Sequence, residues 1–316
     1  MSTATPTADS TARTRALLTA AEPGRKAMDR FMTVLIWSAF ALAMIPLISL
    51  LWTVLTNGTG RMSAEFLMTS MRGIFGGDPS GGIYHATMGT LIVTGWAALI
   101  SIPIGLLTAI YLVEYGRGKL ARSVTFFVDV MTGIPSIVAG LFVVALMTIF
   151  LDPGTRTGFM GALALSVLMI PVVVRSCEEM LKLVPNELRE ASYALGVPKW
   201  LTIVKVVLRT AVAGITTGIL LAIARVIGET APLLITAGVT DSINLNAFDG
   251  RMMTLPVFTY RQYSQGPATC REGQLDCVVD ISMQNAWGAA LTLIVIVMLL
   301  NIAGRLVNRW FAPKLR

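Results

Sequence analysis

Charge is scarce in this sequence: 14% of the 316 residues are charged, against 54% that are hydrophobic. A soluble domain carries roughly a quarter of its residues as charge to clothe its surface, so that class is a poor fit. Histidine occurs once and cysteine three times. Neither a zinc site of the Cys/His kind nor a His-based acid–base pair is expected, and no metal site is assigned. A G-x-x-x-x-G-K-[ST] segment is missing: Gly118-Lys119 is followed by Leu120 and lacks the upstream glycine, so no P-loop cradles ATP phosphates. The H-E-x-x-H and G-x-S-x-G signatures are missing too. The largest polar stretches, about 175–211 and 238–285, are too small for a catalytic domain, which argues against an enzyme and leaves transport as the leading class.

What the chain has is apolar length. Six runs stand out, at 31–55, 88–113, 124–151, 158–174, 212–237 and 286–303. A hydrocarbon core takes about 17–25 helical residues to cross, and lipid offers a bare backbone no hydrogen-bond partner, so each run is expected to be a helix. The alternation of a transmembrane barrel is absent. The fold class is therefore an all-α, six-helix membrane protein, with residues 31–310 as its membrane domain. Residues 1–30 and 311–316 are expected to be tails, the first of them basic and disordered.

The formal charge of +7 is spread between the runs rather than gathered in a nucleic-acid stripe, so no nucleic acid is expected as a partner. Eighteen of the 25 basic residues fall in the two tails and in the second and fourth loops, and six in the first, third and fifth loops. The excess predicts cytoplasmic termini for a multi-pass membrane protein. The first run lacks a small-residue cleavage site and is expected to stay as a span. Cys270 and Cys277 then fall on the outer face, where a C-x6-C pair either closes a disulfide or remains two thiols. His85 reads as interfacial, and Asp129 as a partner for an arginine or a vestibule residue. Residues 252–258 are too short to span and read as a re-entrant or interfacial segment. Gly214-x-x-x-Gly218 reads as a close helix contact inside the fold.

The fourth loop carries helix punctuation. In Val184-Pro185-Asn186-Glu187-Leu188-Arg189-Glu190-Ala191-Ser192-Tyr193-Ala194-Leu195-Gly196, Pro185 suits a first turn, Glu187 and Glu190 favour the positive end of the dipole, and Gly196 suits a left-handed stop. A second amphipathic stretch follows Pro198. Together they are expected to form either a rigid knob attached to a membrane helix or a solvated interhelical loop. Glu190-Ala191-Ser192, Gly196 and Val206-Val207-Leu208 resemble the EAA loop of permease subunits of ABC importers. The resemblance implies that Asn186, Glu187, Arg189, Glu190, Ala191, Ser192, Leu195 and Gly196 belong to a coupling helix that docks on a cytoplasmic ATPase. That family commonly closes the motif with proline, and this chain has Arg209 there, which removes the reason for a kink.

The fifth run places two charges inside an apolar stretch. Arg225 and Glu229 cost about 2.5–3.5 kcal/mol each if they face lipid, so they face protein or water. At four residues' spacing they either bridge each other or line a pathway. Pro232 crowds the carbonyl of Gly228 and should loosen the helix beside them. The planar arginine fork suits a tetrahedral oxyanion, and an ionised Glu229 could accept the proton of hydrogen phosphate, which sulfate lacks. The run Gly228-Glu229-Thr230-Ala231-Pro232-Leu233-Leu234, preceded by Ala224-Arg225, is similar to the signature of PstA-type permeases of the phosphate ABC importer. Gly133-Ile134-Pro135-Ser136-Ile137-Val138 and Val184–Ala191 also resemble that family, and the matching stretches reach from about 80 to 310.

The resemblance implies a MetI-like permease of a type I ABC importer that holds no cofactor of its own, with Arg225, Gly228, Glu229 and Thr230 on the substrate pathway. It also implies a PstC-type second permease, a PstB-type ATPase dimer using ATP and Mg, a PstS-type external binding protein and inorganic phosphate as cargo. An importer of sulfate or molybdate, or an ion-coupled anion carrier, is the alternative.

Overall fold

A computed structural model describes residues 23–270 and 276–311, and among them every regular element is helical. The predicted tails lie outside the described residues at 1–22 and 312–316. Residues 23–30 of the first tail are instead helical, because α1 runs Pro23–Gly58. Proline is tolerated in a first turn, and lysine and arginine sustain a helix beyond its apolar stretch.

The chain divides into two units, 1–53 and 54–316. In the first, the described residues belong to α1, whose apolar side chains are exposed nearly throughout. A helix apolar on all sides is suited to lipid or to another polypeptide.

The second unit continues from the end of α1 through a 3-10 turn at Thr59–Arg61 and a short α2 at Ala64–Met68. Then come α3 (Tyr84–Ile110), α4 (Gly118–Thr132), α5 (Ser136–Met147) and α6 (Gly158–Lys182). They are followed by α7 (Asn186–Ala194), α8 (Lys199–Thr202), α9 (Leu208–Val226), α10 (Ala231–Thr236), α11 (Leu255–Gln265) and α12 (Ile281–Phe311). A π-helical turn, Tyr111–Tyr115, closes α3, and another, Ile203–Val207, joins α8 to α9. This second widened turn lies just before Arg209, so the backbone departs from a regular helix there without proline.

Among the described residues five helices are long and apolar enough to cross a membrane, and six when the bent pair α4–α5 is taken as one span. That pair corrects the third predicted run: 124–151 is two helices meeting at 109°. Pro135 lacks an N–H and pushes Ile134 out of the helical region, so α4 stops at Thr132. The fourth run extends beyond its apolar part to Lys182. Arg175–Glu178 and Lys182–Glu178 ion pairs, both at 2.7 Å and at helical spacing, support that charged end.

α3 packs most extensively against α6, and their shared core includes Val93, Ala97, Leu165, Met169 and Val173. Of the two readings of residues 252–258, re-entrant or interfacial, the interfacial one is corrected: Met252, Met253, Leu255, Val257 and Phe258 are buried in the core. The Thr90 hydroxyl accepts from the Leu255 N–H at 2.7 Å. His85 is likewise buried, its ring edge-on to Phe258 at 5.6 Å, rather than at an interface. Both corrections have one cause: α11 folds down against the start of α3, where Gly89 admits the Met253 carbonyl. A Cβ on Gly89 would stand 1.9 Å from that oxygen, whereas one on Gly95 of the same helix meets nothing within 4 Å. Gly89→Ala is therefore expected to lower the unfolding midpoint in detergent, through strain of about 1–3 kcal/mol, while Gly95→Ala leaves it unlowered. Thermal unfolding of the two variants beside the parent checks this.

The Gly214-x-x-x-Gly218 contact is intramolecular. Gly214 lies against Met180 and Gly218 against Ser176, which brings α9 close to α6.

Candidate functional site

Three irregular points in otherwise apolar helices converge on one cavity. The first is the α4–α5 break at Gly133-Ile134-Pro135. The second is Pro171, inside the continuous helix α6. The third is the α9–α10 break: α9 ends at Val226 and α10 begins at Ala231, with Pro232 in its first turn. The predicted loosening at Gly228 is thus a full interruption, and the fifth run, like the third, is two helices. α5 and α10 pack on each other through Gly140, where an added Cβ would stand 2.8 Å from the Pro232 Cα.

The cavity holds about 190 Å³, and its polar lining is Thr132, Ser136, Arg225 and Glu229. Arg225 is exposed in the isolated chain and Glu229 half-buried. Among the described residues neither forms an ion pair or side-chain hydrogen bond, so the mutual bridge weighed from the sequence is not formed. The Thr132 hydroxyl donates to the Val128 carbonyl at 2.9 Å, which leaves its oxygen as an acceptor. Ser136 opens α5, where the first backbone N–H groups have no intrahelical acceptor. The site therefore offers the Arg225 guanidinium and the Ser136 hydroxyl as donors, and the Thr132 oxygen and the Glu229 carboxylate as acceptors. That set suits a protonated oxyanion.

Gly228 and Thr230 do not line this cavity. Gly228 is exposed in the break, and the Thr230 carbonyl accepts from Leu234 N–H at 3.0 Å, starting α10. Thr132, Ser136 and Pro171 were not singled out by sequence reasoning as site residues, although Ser136 lies in the Gly-Ile-Pro-Ser stretch that carried the resemblance.

A larger cavity of about 330 Å³ lies elsewhere, lined in part by Asp78, Asp241, Arg261, Gln262 and Asn285. Arg261 is bound to Asp241 at 2.7 Å. Ser80 donates both its N–H and its hydroxyl to Asp78, holding that carboxyl below the usual carboxylate range. Two carboxylates against one engaged guanidinium make it a poor anion site. Nearby, Cys270 and Cys277 are joined in a disulfide whose Cys277 side packs on Gly77.

The knob of the fourth loop divides into two faces. Asn186, Glu187, Glu190, Ala191, Leu195 and Gly196 are exposed, Leu195 at 84%, and Leu183 before α7 and Trp200 after it are exposed as well. Gly196 has φ of 75°, and its N–H bonds the Tyr193 carbonyl at 2.9 Å, which ends α7. Ser192 is buried and its hydroxyl meets that of Thr202 at 2.8 Å. Arg189 turns inward as well, to Glu114. Asp129, left open from the sequence, pairs with Arg175 of α6.

Comparison with known proteins now bears on these features. The family of binding-protein-dependent transport system inner membrane components matches residues 101–316. The phosphate transport system permease protein PstA 1 of Mycobacterium tuberculosis is 46% identical over 293 residues, 92% of each chain. The chain belongs to the PstA family of permeases. Other relatives are PstA of Mycobacterium leprae, 43% identical over 89% of this chain and 88% of that one, and PstA of Yersinia pestis, 38% identical over 92% of both. Among solved structures, a bacterial alginate ABC transporter chain superposes with a TM-score of 0.62 at 13% identity, over 90% of this chain and 96% of its own. A chain of the inward-facing MetNI methionine ABC transporter gives 0.55 at 19%, over 80% and 100%. These likenesses establish the fold alone, and it is that of an ABC importer permease. With PstA relatives on both measures of coverage, the chain is a multi-pass membrane permease component.

Proposed function

We propose that this chain forms half of the translocation pathway of an ATP-driven inorganic phosphate importer, with Arg225 and Glu229 contacting the passing anion. The PstA relatives are phosphate transport permeases, which supports the cargo. The observation that carries the reading is the unbridged pair Arg225 and Glu229 at a cavity where two interrupted helices meet the Pro171 turn of α6. Arg225 supplies the fixed positive charge, Ser136 supplies a further donor, and Glu229 accepts the proton that distinguishes hydrogen phosphate from sulfate. Gly228 and Thr230 serve by shaping the break that presents the pair.

The remainder of the pathway comes from a PstC-type permease facing this cavity. α7 is the coupling helix, and its exposed residues, Leu195 foremost, dock on a PstB-type ATPase dimer that uses ATP and Mg on the cytoplasmic side. The disulfide end faces outward, toward a PstS-type binding protein that delivers phosphate. ATP binding and hydrolysis then exchange inward- and outward-open states of the permease pair.

The test is uptake of radiolabelled phosphate by proteoliposomes of the co-purified complex, with ATP enclosed and the binding protein outside. Uptake that requires ATP and is unaffected by excess sulfate is expected. Uptake without ATP, or full competition by sulfate, overturns the proposal.

A further inference from the structure

We propose that Glu114 is a positioning residue that ties the coupling helix to the membrane core, so that ATP-driven movement of α7 reaches the cavity; this rests on the reading of α7 as the docking helix. Glu114 sits in the π-helical turn that closes α3, and α7 lies 75 residues further along the chain. Its Oε1 accepts from both Arg189 Nε at 3.0 Å and Arg189 Nη2 at 2.8 Å. The pair is enclosed, with side chains 5% accessible for Glu114 and 12% for Arg189.

The same guanidinium donates to the Val184 carbonyl at 2.6 Å and the Leu181 carbonyl at 3.1 Å, at the end of α6. The backbone carbonyl of Glu114 accepts from Lys199 Nζ, and that ammonium lies 4.5 Å over the Tyr115 ring. One residue thus receives the helix before the glycine turn through its side chain and the helix after it through its backbone. From there the connection is direct: α3 packs along α6, and α6 carries Leu168, Pro171 and Val172 into the cavity wall.

A knob held only by its chain connections would rock on the membrane helices when pushed. The Glu114–Arg189 fork restrains that freedom, because two donors of one planar guanidinium converge on Oε1 in an enclosed charged pair. The widened turn places Glu114 where Arg189 reaches it. The pair therefore converts displacement of α7 into displacement of α3 and α6.

The experiment compares phosphate imported per ATP hydrolysed in proteoliposomes of the whole complex, for the parent and for Glu114→Gln. The amide keeps an acceptor for Arg189 and removes the charge. The ratio is expected to fall at least about fivefold, the lower end of ordinary coupling free energies, with ATP hydrolysis losing its stimulation by the binding protein. A double variant, Glu114→Cys with Arg189→Cys, joined by a short bismaleimide, is expected to recover the ratio relative to the unjoined form, which separates a mechanical tie from a folding defect. A parent-like ratio in Glu114→Gln, or no recovery on joining, overturns the inference. Parent vesicles that import no phosphate overturn the cargo assignment instead, and the stimulation of ATP hydrolysis by the binding protein still reports on the tie.

Discussion

Arg225→Gln is expected to lower phosphate uptake about a hundredfold while the complex co-purifies intact. Glutamine keeps most of the reach and two N–H donors, so packing around the α9 end changes little. What it removes is the fixed charge. Deleting one partner of a desolvated, hydrogen-bonded charge pair costs about 2–5 kcal/mol, and about 1.4 kcal/mol is a factor of ten. Among the described residues no carboxylate engages the guanidinium, so its loss relieves no ion pair within the chain and falls on the anion itself. Initial uptake rates in vesicles, normalised to the amount of assembled complex, measure this. Parent-like uptake in an intact complex would remove Arg225 from the site.

Glu229→Gln acts on discrimination rather than on affinity for charge. A carboxylate only accepts, so it rewards an anion that brings a proton and repels one that does not. An amide both accepts and donates. Sulfate should then enter, and the preference for phosphate over sulfate is expected to shrink by about a hundredfold, since a site built around a substrate hydroxyl rejects the analogue lacking it by larger factors still. Competition curves of sulfate against labelled phosphate, in parent and variant, supply the number. An unchanged curve would mean that Glu229 merely shapes the break.

The apolar runs were legible because lipid forces a long uncharged stretch to be helical whatever its neighbours do. The breaks were only half legible. Pro135 and Pro232 interrupt their helices, yet Pro46, Pro103 and Pro171 sit inside continuous ones, so proline alone does not decide. The outcome depends on what packs alongside, as Gly140 does against Pro232. Met252 through Phe258 looked interfacial because their burial rests on contact with residues more than 150 positions earlier, around Gly89 and Thr90. The charged pair at Arg225 and Glu229 was visible as an energetic anomaly within one run. Its companions Thr132 and Ser136 were not, since a hydroxyl in an apolar helix carries no such penalty and their proximity to Arg225 is purely tertiary. The contact between Glu114 and Arg189 was hidden for the same reason: Arg189 was legible only as part of the coupling helix, and Glu114 as an ordinary charge after an apolar run.

The meeting of interrupted helices at the cavity has a consequence for the life of the molecule in the cell. Helix ends and a bare guanidinium on that flank find no hydrogen-bond partner in hydrocarbon, so the flank is tolerable only when another polypeptide or water covers it. A copy made in excess of its partner would sit in the bilayer with that seam open and be a natural target for membrane proteolysis. If the partner is the proposed PstC-type permease, steady-state abundance of this chain is expected to follow synthesis of that permease more closely than its own.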